Sequence, residues 1–318
     1  MANIRIFLLM ACLGLLLVFP LFLKPYMLDV MIAIFLFALL ANAWDIIGGY
    51  AGQLSLGHAA FFGIGAYTST YLYVTCNLSP WVGMIVGALV ATLAASFLGF
   101  LCFRYGLKGP FFALATLAFA EILRLIGYNW KTIGGSLGIL IPLRQSSMIN
   151  FTFVNKINYY YIAFFMMVLS IGILYLIDRS KMGLYLMAIR EDEDAAESAG
   201  VNTTRYKLFA ISISAFLTAM GGTFYAQYLM YISPEEVFGI HLSIEIILRS
   251  IIGGTGTVLG PVLGAFVLGP LSELARVYLG GYSGVHLMVY GIIVIVVVLF
   301  LPNGIVPKLR KLFIRPQS

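Results

Sequence analysis

Residues 48–67 read GGYAGQLSLGHAAFFGIGAY, and this stretch combines two features that seldom occur together. Glycine recurs throughout it, yet it contains no proline and no acidic or basic side chain apart from His58. It is too apolar for an exposed loop and too rich in glycine for an ordinary helix. In hydrocarbon, irregular backbone persists only where protein surrounds it or where it lines a cavity. The stretch therefore predicts a broken helix inside a membrane protein.

The composition of the whole chain agrees with this prediction. Of its 318 residues, 61% are hydrophobic and only 10% are charged, and the mean hydropathy is +0.99. A soluble domain carries about 25% charged residues, so a water-soluble fold is excluded. We predict an all-α integral membrane protein in which residues 1–318 form a single polytopic transmembrane domain. Apolar windows of about 20 residues predict spans at 6–23, 27–47, 54–75, 80–103, 109–127, 157–177, 207–230 and 283–301, with a broken apolar region at 244–276.

The distribution of Lys and Arg predicts how the chain crosses the bilayer. These residues cluster at 179–207, at 104–108 and at the C-terminus, and basic residues in short loops stay on the cytoplasmic side. We expect about ten transmembrane helical segments, including broken or re-entrant glycine-rich pieces, with both termini in the cytoplasm and loops 128–156 and 231–243 outside. The first span is interpreted as a retained anchor, because the FLKPYM that follows it lacks a small-residue cleavage pattern.

A second glycine-rich stretch resembles the first. Residues 253–266 read GGTGTVLGPVLGAF, and both stretches begin with Gly-Gly after isoleucine and contain Leu-Gly several residues later. A cavity-lining or helix-breaking role is one interpretation of these glycines, and close helix packing is the other. Packing is the preferred interpretation for a stripe of small residues that recur every four positions in the span 80–103, namely Gly83, Gly87, Ala91, Ala95 and Gly99.

Ionisable residues inside apolar segments are costly, and they mark either internal ion pairs or functional groups. Asp45 is a lone acid, but its predicted position near the membrane interface weakens it as a proton carrier. His58 fits a packing role better than a ligand role. Three pairs of an acidic and a basic residue have helical spacing, and the two charges of each pair are expected to neutralise each other. These pairs are Glu121/Arg124, Glu245/Arg249 and Glu273/Arg276.

No soluble-enzyme chemistry stands out in the sequence. The chain lacks the GxxxxGK[ST] motif of a P-loop, so it is not expected to bind ATP. Its three histidines are scattered, and Cys12, Cys76 and Cys102 lack metal-ligand spacing and are interpreted as small apolar fillers. We therefore expect no catalytic residue, no metal site and no cofactor in this chain, and no nucleic-acid partner.

The most informative polar stretch lies between two predicted spans, at residues 178–207. Within it, residues 189–199 predict a short amphipathic helix with an acidic run at 191–194, and Gly200 is expected to end this helix. A plain connector needs only a few residues, so a docking surface for a cytoplasmic partner is preferred over a solvated linker. Residues 178–207 are called the coupling segment below.

Within the coupling segment, DAAESAG at 194–200 resembles the E-A-A-x-x-x-G signature of permease subunits of bacterial ABC importers, with Asp194 in place of the usual glutamate. Four further stretches narrow the resemblance: WDIIGGYAGQLSLGHAAFFGIGAY at 44–67, GPFFALATLAFAEILR at 109–124, TIGGSLGI at 132–139 and IIGGTGTVLGPVLGA at 251–265. Together and in this order, these motifs resemble the LivM-type permease family of branched-chain amino acid importers.

This resemblance implies an importer with divided labour. A LivH-like second permease would share the translocation path, two ATP-binding subunits would bind the cytoplasmic side of the bacterial inner membrane, and an extracytoplasmic binding protein would deliver a branched-chain amino acid. ATP would be bound only by those partner subunits. The short helix of the coupling segment would dock onto an ATPase subunit through Glu193, Asp194, Ala195, Ala196, Glu197 and Gly200.

A zwitterionic aliphatic substrate should meet helix ends, backbone carbonyls and apolar surface along its path. A stand-alone secondary carrier or channel is the alternative function, and an intramembrane lipid-modifying enzyme is a third. The coupling segment disfavours the carrier, and the lack of clustered acids or histidines at one membrane face disfavours the enzyme. The two broken glycine segments offer the expected lining set for the path, namely Gly48, Gly49, Gln53, Ser55, His58, Gly253, Gly254 and Thr255.

Overall fold

The computed structural model of the protein describes residues 14, 16–144, 146–279, 291, 304–306 and 308. Half of the predicted span 6–23, and all of the predicted span 283–301 except residue 291, lie outside these residues. The described part of the chain is predominantly helical, with α1 at Pro25–Asp45, α2 at His58–Cys76, α3 at Pro80–Arg104, α4 at Pro110–Asn129, α5 at Lys156–Asp178, α6 at Lys181–Glu191, α7 at Glu193–Ser198, α8 at Thr203–Leu229, α9 at Pro234–Phe238, α10 at Ile240–Gly253 and α11 at Gly260–Leu279.

Five helices within the described residues are long and apolar enough to cross a membrane: α1 with its extension to Tyr50, α3, α4, α5 and α8. They coincide closely with five of the predicted spans. Helix α2 corresponds to the predicted span 54–75 but begins only at His58. The broken region 244–276 is resolved into two helices, α10 and α11. The all-α membrane class is therefore confirmed, whereas the count of ten segments stays a prediction.

Helix boundaries follow local chemistry. Pro25, Pro80 and Pro110 each stand at the first turn of a helix, where the missing N–H of proline leaves no hydrogen bond unmade. The Asn202 side chain caps α8 by accepting from the Arg205 N–H at 3.0 Å. Asn77 ends α2 in the left-handed region, with φ of 55°, which asparagine tolerates better than most residues.

Small residues bring α2, α3 and α8 into close contact. All five members of the predicted small-residue stripe on α3 are buried, and this packing prediction is confirmed. The same device joins α2 to α8, because a Cβ on Gly65 would lie 2.6 Å from the Ala219 Cα. A Cβ on Gly222 would lie 2.9 Å from the Phe62 carbonyl carbon. In lipid, such close backbone approach is a main source of helix association.

The two ends of the bundle are structurally different. Strand β1 at Ile139–Leu140 pairs antiparallel with β2 at Tyr231–Ile232, in the register Ile139↔Ile232. This pairing joins the loops 128–156 and 231–243, which were both predicted to lie outside, at one end of the bundle. Strand β2 directly follows α8, and the coupling segment directly precedes α8. The coupling segment therefore lies at the end of the bundle opposite to the two strands.

Replacing Gly65 by valine is expected to destabilise the protein, because the new side chain would overlap the Ala219 backbone, which cannot move aside as a side chain can. Overpacking of this kind costs about 1–3 kcal/mol. The measurement is the thermal unfolding midpoint of the purified protein in detergent. Gly172→Val is the matched control, because nothing lies within 4 Å of a Cβ at this position of α5. Equal midpoints for the two variants would contradict the packing argument.

Candidate functional site

The first glycine-rich stretch is a break between two helices. Helix α1 runs into one π-helical turn at Ile46–Tyr50, after which the chain is non-helical until α2 begins at His58. Within this break the Trp44 Nε1 donates to the Ser55 carbonyl at 2.9 Å. In the first turn of α2 the Ala59 N–H finds its acceptor on another helix, since it donates to Ser243 Oγ at 3.0 Å. The break is therefore surrounded by protein, as irregular backbone in a membrane must be.

The second glycine-rich stretch lies directly against the first. A Cβ on Gly49 would lie 2.5 Å from the Gly256 backbone nitrogen, so the two segments meet at backbone distance. Asp45 joins them, because its carboxylate accepts from Ser250 Oγ at 2.7 Å and from the Gly256 N–H at 3.0 Å. We call residues 45–58 and 250–257 together the glycine junction.

Asp45 was expected near the membrane interface, and its depth in the bilayer stays a prediction. Its side chain is completely buried, and both of its oxygens are used in holding α10 and the turn after it. A carboxylate taken out of water is costly unless it is hydrogen-bonded. The sequence could not reveal this role, because Gly256 stands 211 positions further along the chain.

The predicted path residues all belong to the glycine junction. His58 is fully buried between Ser55 Oγ at 3.2 Å and Ser214 Oγ at 2.7 Å, which agrees with its interpretation as a packing residue. Gln53 is also buried, and its N–H donates to the Ile47 carbonyl at 3.0 Å. The other members are buried or half-buried, namely Gly48, Gly49, Ser55, Gly253, Gly254 and Thr255. Their role as a path lining stays a prediction.

The coupling segment contains two helices, which corrects the prediction of one continuous helix over 189–199. Helix α6 ends at Glu191, and α7 begins at Glu193. The reason is Asp192, whose extended backbone breaks the helix and whose Oδ1 accepts from the N–H groups of Asp194 and Ala195, at 3.0 and 2.9 Å. Aspartate is among the preferred N-cap residues. The predicted end at Gly200 agrees with the structure, in which this glycine has a φ of 87°.

Helix α7 is fastened to the membrane helices by one of its faces. The Lys207 ammonium on α8 pairs with Glu193, and this lysine side chain is only 1% exposed. Lys207 also lies 4.7 Å from the ring centroid of Phe103. Lys108 donates to Asp194 at 2.7 Å, and this hydrogen bond holds the pKa of the Asp194 carboxyl below its usual value and raises the pKa of Lys108. Sequence reasoning missed both lysines as anchors.

The other face of α7 is available to a partner. Asp194, Ala195 and Glu197 are exposed, whereas Ala196 is only 6% exposed. The predicted docking residues are therefore of two kinds, some facing outward and others fixing the helix on the bundle. Gly200, which follows the helix, is also exposed.

Arg190, at the end of α6, connects the coupling segment to the glycine junction. Its Nη1 donates to the Gly49 carbonyl at 2.6 Å. Its side chain also lies close to two other glycines, because a Cβ on Gly52 would be 3.0 Å from the Arg190 Cγ and a Cβ on Gly256 would be 2.6 Å from the Arg190 Nη1. A second link is made where α5 ends, because the Tyr50 hydroxyl donates to Asp178 Oδ1 at 2.9 Å. The two predicted sites are thus in direct contact.

A cavity of about 670 Å³ lies towards the opposite end of the bundle. It is bounded by α1, α10 and the end of α8 next to β2, and its lining contains several charged or titratable side chains together with apolar ones. None of the eight predicted path residues lines it. We call it the polar cavity, and its polar lining consists of Asp29, Lys156, Tyr225, Tyr228, Glu236, His241, Glu245 and Glu273.

Comparison with known proteins gives one consistent result. The family profile described as "Branched-chain amino acid transport system / permease component" matches residues 26–298. The high-affinity branched-chain amino acid transport system permease protein LivM of Salmonella typhimurium is 29% identical, over 95% of this chain and 75% of its own length. LivM of Escherichia coli K12 is 28% identical, over 89% and 70%.

A second group of relatives is more distant. The permease protein LivH of the same Salmonella system is 23% identical, over 86% of this chain and 93% of its own length. No solved structure matches the chain.

Replacing Lys207 by methionine is expected to destabilise the protein strongly, because it removes the buried cation that pairs with Glu193 and leaves this carboxylate only the exposed Lys108, 3.8 Å away. Breaking a buried ion pair in this way costs about 3–5 kcal/mol. The measurement is the thermal unfolding midpoint, and the double variant Lys207→Met/Glu193→Met should recover part of the loss. Lys108→Met is the control, since this lysine is 45% exposed and its ion pairs are screened by water. Similar midpoints for the two single lysine variants would contradict the anchor role.

Proposed function

The chain belongs to the family of permease components of branched-chain amino acid transport systems, and from this membership we propose that it is one permease subunit of an ATP-driven importer of branched-chain amino acids. In this proposal a LivH-like permease completes the membrane path, and two ATP-binding subunits supply the energy. An extracytoplasmic binding protein delivers the substrate. The complex lies in the bacterial inner membrane, with both termini of this chain and the coupling segment in the cytoplasm.

The observation that carries the proposal is the construction of the coupling segment. Helix α7 is fixed to the bundle by the buried pair of Glu193 and Lys207, while Asp194, Ala195 and Glu197 are exposed. A helix that is both anchored and accessible can transmit force from a partner into the membrane helices. A stand-alone carrier has no use for such a helix, which is why ATPase subunits are the proposed partners.

The contact of Arg190 with Gly49 supports a route for that force. Movement of α6 would be passed to the glycine junction through this hydrogen bond and then across the Asp45 contacts to α10. Two-state elements of this kind are what a ligand or partner biases in a transporter.

We propose further that the glycine junction is the closed inner end of the solute path and the polar cavity its open end. The two features lie in series along α1 and α10, because Phe37 and Glu245 line the cavity whereas Asp45 and Ser250 belong to the junction. Opening the junction would separate the backbone at Gly49 from that at Gly256 and would break the hydrogen bonds of Asp45 to Ser250 and Gly256.

Arginine substitutions on the exposed face of α7 test the docking proposal. Ala195→Arg and Glu197→Arg are expected to weaken association with the ATP-binding subunits at least about tenfold, as the loss of an interface hot spot does, and to abolish uptake. Association is measured by co-purification from membranes and uptake in proteoliposomes. Ala196→Arg is unsuitable because Ala196 is buried in this chain itself.

Met148→Arg serves as the control, because this residue is 65% exposed at the opposite end of the bundle. It should leave ATPase association unchanged. Normal association of both α7 variants would refute docking at this helix, and uptake by the chain in proteoliposomes without any ATPase subunit would favour the stand-alone carrier.

Replacing Arg190 by glutamine is expected to uncouple ATP hydrolysis from transport. The variant keeps the exposed face of α7, so ATPase subunits should still bind and hydrolyse ATP, but the hydrogen bond to Gly49 is weakened and the number of solutes moved per ATP should fall about tenfold. Arg179→Gln is the control, because that guanidinium lies over the Tyr175 ring at 4.7 Å. A parallel loss of hydrolysis and uptake would point to simple misassembly and contradict the coupling route.

A further inference from the structure

An ion pair lies at the wall of the polar cavity, with one member in the lining and the other in the packed interior behind it. Glu245 lines the cavity, and Arg249, one helical turn further along α10, donates through Nη1 to Glu245 Oε2 at 3.0 Å. The same nitrogen donates to the Glu245 carbonyl at 2.9 Å. The guanidinium carbon lies 3.7 Å from the ring centroid of Phe37, which is itself a lining residue.

Arg249 is a buried cation with unused hydrogen-bonding capacity. Its side chain is only 2% exposed, and its Nε has no hydrogen-bond partner among the described residues. A guanidinium has five N–H donors, and removing it from water costs several kcal/mol. Ionisable groups held within the membrane interior face a cavity or a partner and mark binding sites. An incompletely paired arginine beside a cavity is therefore suited to a carboxylate, which it binds in bidentate geometry.

Glu245 is suited to the opposite charge. Its side chain is 35% exposed, so that the carboxylate can be reached from the cavity. A second ion pair at the cavity, between Asp29 and Lys156, is more exposed on both sides, at 37% and 47%, and water screens it more strongly. The Glu245 and Arg249 pair is thus the one at which a charged ligand is recognised with the least competition from solvent.

A zwitterion matches this pair because it brings both charges at once. Its carboxylate can bind Arg249 while its ammonium binds Glu245, so each protein charge exchanges one partner for another and none is left uncompensated. A ligand with a single charge would leave either Glu245 or Arg249 without a partner. The cavity volume of about 670 Å³ lies in the range of small-molecule sites, and its apolar lining suits an aliphatic side chain, with Ile32, Ala33, Leu36, Phe62 and Leu242.

We propose that Glu245 and Arg249 form a binding site for the ammonium and carboxylate groups of a zwitterionic amino acid in the polar cavity. This inference deepens the proposed function and rests on it for the class of substrate. The site would hold the solute after its release into the membrane subunits.

The test uses the complete transporter in lipid nanodiscs, without the binding protein. Three probes share one aliphatic skeleton: L-leucine carries both charges, leucinamide carries only the ammonium, and isocaproate carries only the carboxylate. Affinities are measured by displacement of radiolabelled L-leucine and, independently, by the rise of the unfolding temperature that a ligand of the native state produces. The variants are Glu245→Gln and Arg249→Gln.

The expected pattern is an exchange of ligand preference. Glu245→Gln should weaken L-leucine binding about tenfold or more and strengthen isocaproate binding, because the remaining arginine needs an anion. Arg249→Gln should weaken L-leucine equally and strengthen leucinamide binding. Glu121→Gln is the matched control, since Glu121 forms the same kind of helical pair with Arg124 on α4 and does not line the cavity. It should bind all three probes as the unaltered protein does.

Three results would overturn the site: unaltered L-leucine affinity in both variants, equal weakening of all three probes, or no binding of L-leucine by the unaltered transporter. Should Arg249→Gln fail to elute as an assembled complex in size-exclusion chromatography, the Glu245→Gln arm decides alone, because it retains the arginine. Failure of the proposed function would give a different result from failure of the site. ATP-driven uptake of L-leucine with the binding protein would be absent, but the two variants would still exchange their ligand preference.

Discussion

The structure depends on the buried carboxylate of Asp45. Two interrupted membrane segments, far apart in sequence, would each expose unsatisfied backbone groups if they stood alone, and hydrocarbon offers those groups no partner. Asp45 resolves this by accepting from Ser250 and from the Gly256 N–H, so the break after α1 and the turn after α10 stabilise each other. Burial makes the interaction decisive, because the carboxylate would be costly without these donors. The glycines at the junction follow from it, since a side chain at Gly49 would enter the space of the Gly256 backbone.

This constraint explains why the coupling segment is in direct contact with the glycine junction. A backbone without side chains leaves the Gly49 carbonyl accessible at the end of the bundle, and the Arg190 guanidinium reaches it at 2.6 Å. The anchoring of α7 through Lys207 and the contact of α6 with the junction place the two helices of the coupling segment on different membrane helices. A push on the segment would therefore act on α8 and on the glycine junction together.

Two ion pairs with a buried member occur in settings with different consequences. Lys207 and Glu193 are held by packing and by the Phe103 ring, and they fasten one element to another. Arg249 and Glu245 are placed beside a cavity, where one partner is partly exposed and the other keeps an unused donor. The first arrangement serves as an anchor. The second can accept a ligand that supplies both charges, which is the property of a zwitterion.

The sequence by itself determined the membrane class, the positions of the long spans, the packing stripe on α3 and the family resemblance. These features are local, because hydropathy, small-residue spacing and motifs are properties of contiguous segments. It located Glu245/Arg249 as a helical pair and the glycine segments as breaks for the same reason. Only the tertiary structure decided that Asp45 is buried at the junction, that Arg190 meets Gly49, and that a cavity ends at the Glu245 pair. Those facts depend on contacts between residues more than a hundred positions apart, which no local pattern specifies.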